Sequence, residues 1–78
     1  MPNVKIYTTP VCVYCKMAKA FFAENSIKYE EVNVAQDTKA REEMIARSRQ
    51  IGVPVIDVNG KIIIGFDKPR LIEALGIK

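Results

Sequence analysis

The sequence contains no histidine and only two cysteines, Cys12 and Cys15. Without histidine the chain cannot build the Cys-His nucleophile of a cysteine protease. Two thiols also fall short of the four Cys or His ligands of a structural zinc site, which a second chain or outside thiols would have to complete. No metal site is therefore expected. No run approaches the ~18 uninterrupted apolar residues of a membrane span, and the opening "MPNVKIYTTP" lacks a basic region followed by a long apolar stretch. The expected setting is cytoplasmic, with no membrane contact, a compartment in which structural disulfides are uncommon. The 12 basic residues exceed the 9 acidic ones by a net charge of +3 and are dispersed along the chain. That argues against a nucleic-acid partner, which would need a basic stripe with interleaved aromatics. A mild positive potential can still draw an anionic substrate or an acidic partner. No Ser/Gly-rich linker, internal repeat or low-complexity tract appears, so residues 1–78 are expected to form a single domain.

What is present is ordinary globular composition, 49% hydrophobic and 27% charged, with a clear element order. Val4 to Thr8 is a β-branched and aromatic run closed by Pro10 and reads as a strand. From Val13 to about Glu24 the period becomes helical, with Tyr14, Met17, Ala18, Phe21 and Phe22 on one face and Lys16, Lys19 and Ala23 on the other. Asn25-Ser26 ends that helix. Ile27 to Val34 reads as a partly solvated strand at a sheet edge. Asp37 or Thr38 can cap a second helix that carries Ala40, Met44 and Ile45 inward and ends before Gly52. "VPVIDV" and "KIIIG" flank Asn59-Gly60, a strong hairpin signal because both turn residues tolerate positive φ. The last helix has Asp67 as cap, Pro69 in its first turn, Leu71, Ile72 and Leu75 inward, and Gly76 as stop. The sum is βαβαββα. A strand, a helix and a strand in succession imply a right-handed parallel crossover, and the hairpin adds an antiparallel half. The fold class is α/β, a mixed sheet with helices on both faces.

Cys12 falls at the start of the first helix, where unpaired backbone N–H groups and the helix dipole favour a thiolate. Cys15 follows within one turn. Lys16, four residues after Cys12, is placed to add positive charge as a thiolate-stabilising residue. A nucleophile and a resolver so arranged can take electrons from a dithiol to a substrate disulfide through a mixed disulfide. A Cys-x-x-Cys at a strand-to-helix junction in a βαβ unit is a strong redox signal. Both cysteines as merely buried apolar residues is the bland alternative.

With these residues in view the sequence resembles the glutaredoxin family, through "VKIYT", "CVYCKMAKAFF", "REEMIARS", "VPVI" and "GFDKPRL" in order over nearly the whole chain. The resemblance implies the thioredoxin fold in its minimal form, a four-stranded sheet of order 2-1-3-4 with the first and third helices on one face and the second on the other. It implies an electron-transport role, with Cys12 as catalytic nucleophile, Cys15 as resolving thiol and a redox-active Cys12–Cys15 disulfide bond. It matches the family's Val-cis-Pro element to Val53-Pro54, with the backbone of Val53 pairing with substrate; taken alone, Pro54 reads as the start of a strand. Gln50 and Asp67 match glutathione-contact positions, and Tyr14, Gly65 and Phe66 fall where substrate would lie, although either aromatic is equally readable as packing.

The departures matter as much. Val13 replaces the usual proline, Thr9 the usual lysine that holds a glutathione carboxylate, and Ile64-Gly65-Phe66 the usual Gly-Gly segment. Cys-Val-x-Cys and Gly65-Phe66 are similar to the glutaredoxin-like redoxins that serve ribonucleotide reductase and are recharged by thioredoxin reductase, though only part of their Trp-Ser-Gly-Phe-Arg-Pro signature is present. The resemblance thus implies a thiol-disulfide oxidoreductase acting on protein disulfides, ribonucleotide reductase among the partners, as a monomer with no tightly bound cofactor. Its external reductant is either glutathione or thioredoxin reductase with NADPH. A glutathione-dependent glutaredoxin, a dimer bridging an iron-sulfur cluster through Cys12 and glutathione, and a redox-responsive adaptor stay open. Ile6 stands where thioredoxin carries a buried acid, so the Cys15 proton is expected to leave through solvent or Cys12.

Overall fold

The computed structural model describes residues 3–49, 52 and 54–77. Its elements are β1 (Val4–Thr8), α1 (Val13–Glu24), β2 (Glu30–Asn33), α2 (Thr38–Ser48), β3 (Val55–Val58), β4 (Lys61–Ile64) and α3 (Lys68–Leu75). The four strands lie in the order β2-β1-β3-β4. β1 and β2 run parallel, joined through α1, while β1 with β3 and β3 with β4 are antiparallel. The βαβαββα order, the mixed sheet and the edge position of β2 are those expected from the sequence. Among the described residues no helix is long and apolar enough to cross a membrane.

Alternation along the strands divides the interior into two cores, because successive strand residues point to opposite faces. Val4 and Ile6 of β1 and Ile56 and Val58 of β3 meet Ala18, Phe21 and Phe22 of α1 and Leu71 of α3. Tyr7 and Val55 point the other way and meet Ala40 and Met44 of α2. An ion pair of 2.7 Å from Arg47 to Asp57 and a hydrogen bond of 3.0 Å from the Tyr7 hydroxyl to Glu43 also tie α2 to its face of the sheet. α1 and α3 therefore share one face and α2 covers the other.

The turns follow local chemistry. Asn59 and Gly60 have φ of 53° and 92°, the positive values that a tight hairpin between β3 and β4 requires. Asp67 caps α3 through the Arg70 N–H, and Gly76 ends that helix in the left-handed region. Asp37 caps α2 by accepting the Ala40 N–H at 3.0 Å. Asp37→Ala is expected to lower stability by about 1 kcal/mol, the usual cost of a lost N-cap, which urea unfolding would read as a lower midpoint at unchanged slope.

Two expectations are corrected. β2 begins at Glu30 rather than Ile27, because Ile27 and Tyr29 pack on the core ahead of the paired segment. α2 ends before Gly52, as expected, with Arg49 as its left-handed cap at φ 61°. On α1 the buried stripe is Cys15, Ala18, Phe21 and Phe22, whereas Tyr14 is 62% and Met17 45% exposed. Successive helical residues lie about 100° apart. A stripe centred on Cys15, Ala18 and Phe22 therefore turns Met17 outward despite its apolar side chain.

Candidate functional site

The strand registers gather the site at one end of the sheet. Tyr7 faces Val55 and Val55 faces Ile64, so one step further Thr8, Pro54 and Gly65 come level across three strands. The Gly65 N–H donates to the Pro54 carbonyl at 2.8 Å and closes this row. Gly65 adopts φ 75° with open space around the position a Cβ would take, so its backbone conformation, and not crowding, calls for glycine. From the same end of β1, Thr9, Pro10 and Val11 lead to Cys12, whose N–H donates back to the Thr9 carbonyl at 3.3 Å.

Cys12 is the N-cap of α1, in extended backbone conformation, and its sulfur accepts the Cys15 N–H at 3.1 Å. The sulfur thus occupies the place of a capping oxygen at the electropositive end of the helix. Both cysteines are free thiols, Cys12 half-buried and Cys15 buried at 1% exposure. Burial pushes the Cys15 thiol up to about 12, and its hydrogen bond and charge interaction with Cys12 act in the same direction. The Thr9 backbone and the Lys19 ammonium oppose that rise. One sulfur is thus accessible at a helix start and the other is held protonated behind it.

The remaining expected site residues divide. Pro54 and Gly65 join the thiol end of the sheet. Val11, Val13, Tyr14, Met17 and Ile64 are large apolar residues left exposed, three of them within two residues of Cys12 in sequence. Phe66 is half-buried and meets Phe21 edge-on at 6.0 Å, so it is packing for the α1/α3 core. Asp67 uses its carboxylate on the Arg70 N–H at 3.3 Å and the Arg70 guanidinium at 3.6 Å. Lys16 is exposed, and among the described residues its side chain makes no hydrogen bond or ion pair. Gln50 and Val53, and with Val53 the peptide bond preceding Pro54, lie outside the described residues. Among the described residues no group of three or more Cys, Asp or Glu side chains is placed to hold a metal ion.

The α1 lysine that the fold does engage is Lys19, which the helical period assigns to the outer face of α1. Its ammonium bonds Glu31 Oε2 at 2.9 Å, and the hydroxyl of buried Thr8 donates to the same oxygen at 2.9 Å. The sequence signal for it is spacing: Lys19 follows Cys15 by one helical turn, which puts the two on one side of the helix.

Residues 4–63 match the family model described as glutaredoxin. The chain belongs to the glutaredoxin family. It is 48% identical over 68 residues to a glutaredoxin-like 8.6 kDa protein of the rubredoxin operon of Clostridium pasteurianum, covering 87% of this chain and 91% of that one. It is 37% identical to glutaredoxin 3 of Escherichia coli, over 97% of this chain and 92% of the relative. Among solved structures it is similar to the glutaredoxin-like NrdH-redoxin of Escherichia coli, with a TM-score of 0.82 at 27% identity, covering 94% of this chain and 93% of that one. The mixed β2-β1-β3-β4 sheet with its three helices is thus the thioredoxin fold of a glutaredoxin. Members of the glutaredoxin family are in general thiol-disulfide oxidoreductases that draw electrons from external reductants.

Proposed function

We propose that this glutaredoxin is a cytoplasmic dithiol oxidoreductase that reduces protein disulfides through Cys12 and Cys15. The observation that carries the reading is the Cys12 sulfur at the N-cap of α1, accepting the Cys15 N–H at 3.1 Å, with the second thiol buried directly behind it. Cys12, as thiolate, attacks one sulfur of a substrate disulfide, joins to it, and releases the other as a thiolate. Cys15 then attacks Cys12; the Cys12–Cys15 bond forms, the mixed disulfide breaks, and the second substrate sulfur leaves with the electron pair and takes up a proton. The dithiol is oxidised by two electrons and an external reductant restores it. The exposed apolar side chains of Val11, Val13 and Tyr14 give a disulfide-bearing segment a surface to lie on, and the Pro54–Gly65 row forms the adjoining wall.

The preferred reductant is thioredoxin reductase with NADPH. Recognition of the glutathione carboxylates rests on charge-assisted hydrogen bonds worth about 1.5 to 3 kcal/mol each, and Thr9 carries no charge. Asp67 is engaged with Arg70, and Ile64, at 49% exposure, sets a branched side chain where the family's glycine lets glutathione approach. The similarity to NrdH-redoxin, whose structure was described as the basis of a thioredoxin-like activity profile, supports the same choice, and it is the ground for ribonucleotide reductase as a partner. The test is a side-by-side measurement of Cys12–Cys15 reduction. The expected result is slower reduction by glutathione with glutathione reductase, by at least about tenfold, the equivalent of one lost contact at ~1.4 kcal/mol. Efficient turnover with glutathione and none with thioredoxin reductase would make the protein a glutathione-dependent glutaredoxin.

A further inference from the structure

The resolving step poses an electrostatic problem. Cys15 is 1% exposed, yet it must become anionic to attack the mixed disulfide on Cys12. Burial opposes that ionisation, and Ile6 offers no acid or base beneath it. The charged or polar groups acting on Cys15 are Cys12 and Lys19 from α1 and the Thr9 backbone from the end of β1. Of the two side chains only Lys19 favours the thiolate.

We propose that Lys19, clamped by Glu31 and Thr8, is the positioning cation for the resolving thiol, stabilising the thiolate that Cys15 becomes during resolution. The assignment rests on Cys15 being the resolver. Its geometric basis is a set of contacts across three elements. Lys19 lies one turn beyond Cys15 on α1, its ammonium held 2.9 Å from Glu31 Oε2 on β2. The Thr8 hydroxyl on β1, itself 1% exposed, fixes the same oxygen at 2.9 Å. β1 and β2 pair in parallel with Ile6 beside Glu31, which turns Glu31 toward the α1 face of the sheet. A lysine on a helix surface ordinarily extends into solvent on a flexible stem; here the ion pair with Glu31 fixes the ammonium at β2, with its stem one helical turn from Cys15. The pair sustains both charges, since the Glu31 contact raises Lys19 and the Lys19 contact, with that of Thr8, lowers Glu31. Tyr29 is the other ionisable neighbour of Lys19.

Lys19 stays protonated throughout. The Cys15 proton passes to solvent and the departing substrate thiolate takes one up, so the step needs no reactant beyond the dithiol and the disulfide.

The test loads a substrate thiol onto Cys12 and follows its release by rapid mixing across pH, in the wild type, Lys19→Met, Lys19→Arg and the double variant Lys19→Met/Glu31→Gln. A nearby opposite charge favours the thiolate, and a displacement of about half a pKa unit corresponds to about threefold in thiolate population. Resolution in Lys19→Met is therefore expected to slow about threefold relative to the first attack by Cys12, with its pH profile displaced upward. Lys19→Arg keeps the charge and is expected to stay near the wild-type profile. The double variant is expected to remain slow. A wild-type pH profile in Lys19→Met would overturn the proposal, and so would full recovery in the double variant, which would trace the defect to an unpaired Glu31. A wild type that never carries substrate on Cys12 would overturn the assignment of the attacking thiol, and this one with it.

Discussion

Reduced protein treated with excess iodoacetamide near neutral pH is expected to carry one adduct, on Cys12, while Cys15 stays unmodified until the chain is denatured or made strongly alkaline. Two effects compound. Cys15 is 1% exposed, so reagent reaches it only through local opening. Its thiol is also pushed from 9.0 up to about 12. Three units correspond to roughly a thousandfold smaller thiolate population at any pH well below both values, and the thiolate is the reacting species. Peptide mapping after a timed reaction would measure the ratio, and equal labelling of both cysteines in the folded protein would contradict it. The same shift bears on stability. Because the folded value is the higher one, the contribution of buried Cys15 is complete below the unfolded value near 9.0 and is lost as pH rises through about 12. Between those limits the reduced wild type is expected to lose more stability than Cys15→Ser, which has no thiol to ionise.

Exchanging either sulfur for oxygen is expected to have the other large effect, and the two exchanges should differ in kind. Cys12→Ser removes the accessible sulfur at the helix start and leaves a thiol that is both buried and protonated, so turnover of a dithiol substrate should vanish. Cys15→Ser leaves the attacking sulfur in place. It should still open a substrate disulfide in a single stoichiometric step and then stall as a stable mixed disulfide, because no second sulfur is positioned to release it. A burst of one equivalent of released thiol without further turnover is the expected trace. Turnover retained in Cys12→Ser and lost in Cys15→Ser would reverse the roles.

The parts of the fold that were legible in the sequence are those governed by short-range rules. Asn59-Gly60, Asp37, Asp67 and Gly76 perform at their positions what turn and cap chemistry requires of them, and the change from alternating to helical period separates β1 from α1. What the sequence conceals depends on packing between distant segments. Tyr14 and Met17 look like core because they are apolar, but α1 faces the sheet through Ala18 and Phe22, which turns Met17 away, and Tyr14, in line with that stripe, lies in the exposed first turn of the helix. Ile27 and Tyr29 look like strand because they alternate, yet they pack on α1 without a paired partner. The dithiol itself was plain from its spacing and its place at a strand-to-helix junction. Its electrostatic surroundings were not: Lys16 is adjacent in sequence and stands in solvent, whereas Lys19, one turn beyond Cys15, is held by Glu31 and Thr8 from two neighbouring strands, a contact between distant segments. Phe66 and Asp67, at positions that suggest substrate contact, also have partners within the fold that the sequence does not show, Phe66 against Phe21 of α1 and Asp67 with Arg70 of α3.

The most direct test of the account is the identity of the covalent intermediate. Cys15→Ser protein would be mixed with a protein substrate carrying a single disulfide, quenched with acid, digested without reductant and mapped by mass spectrometry. The predicted result is one substrate peptide joined to the peptide containing Cys12, in near-stoichiometric yield, with no such species from Cys12→Ser. A substrate peptide joined to Cys15 in the Cys12→Ser protein, or no mixed disulfide in Cys15→Ser, would contradict it.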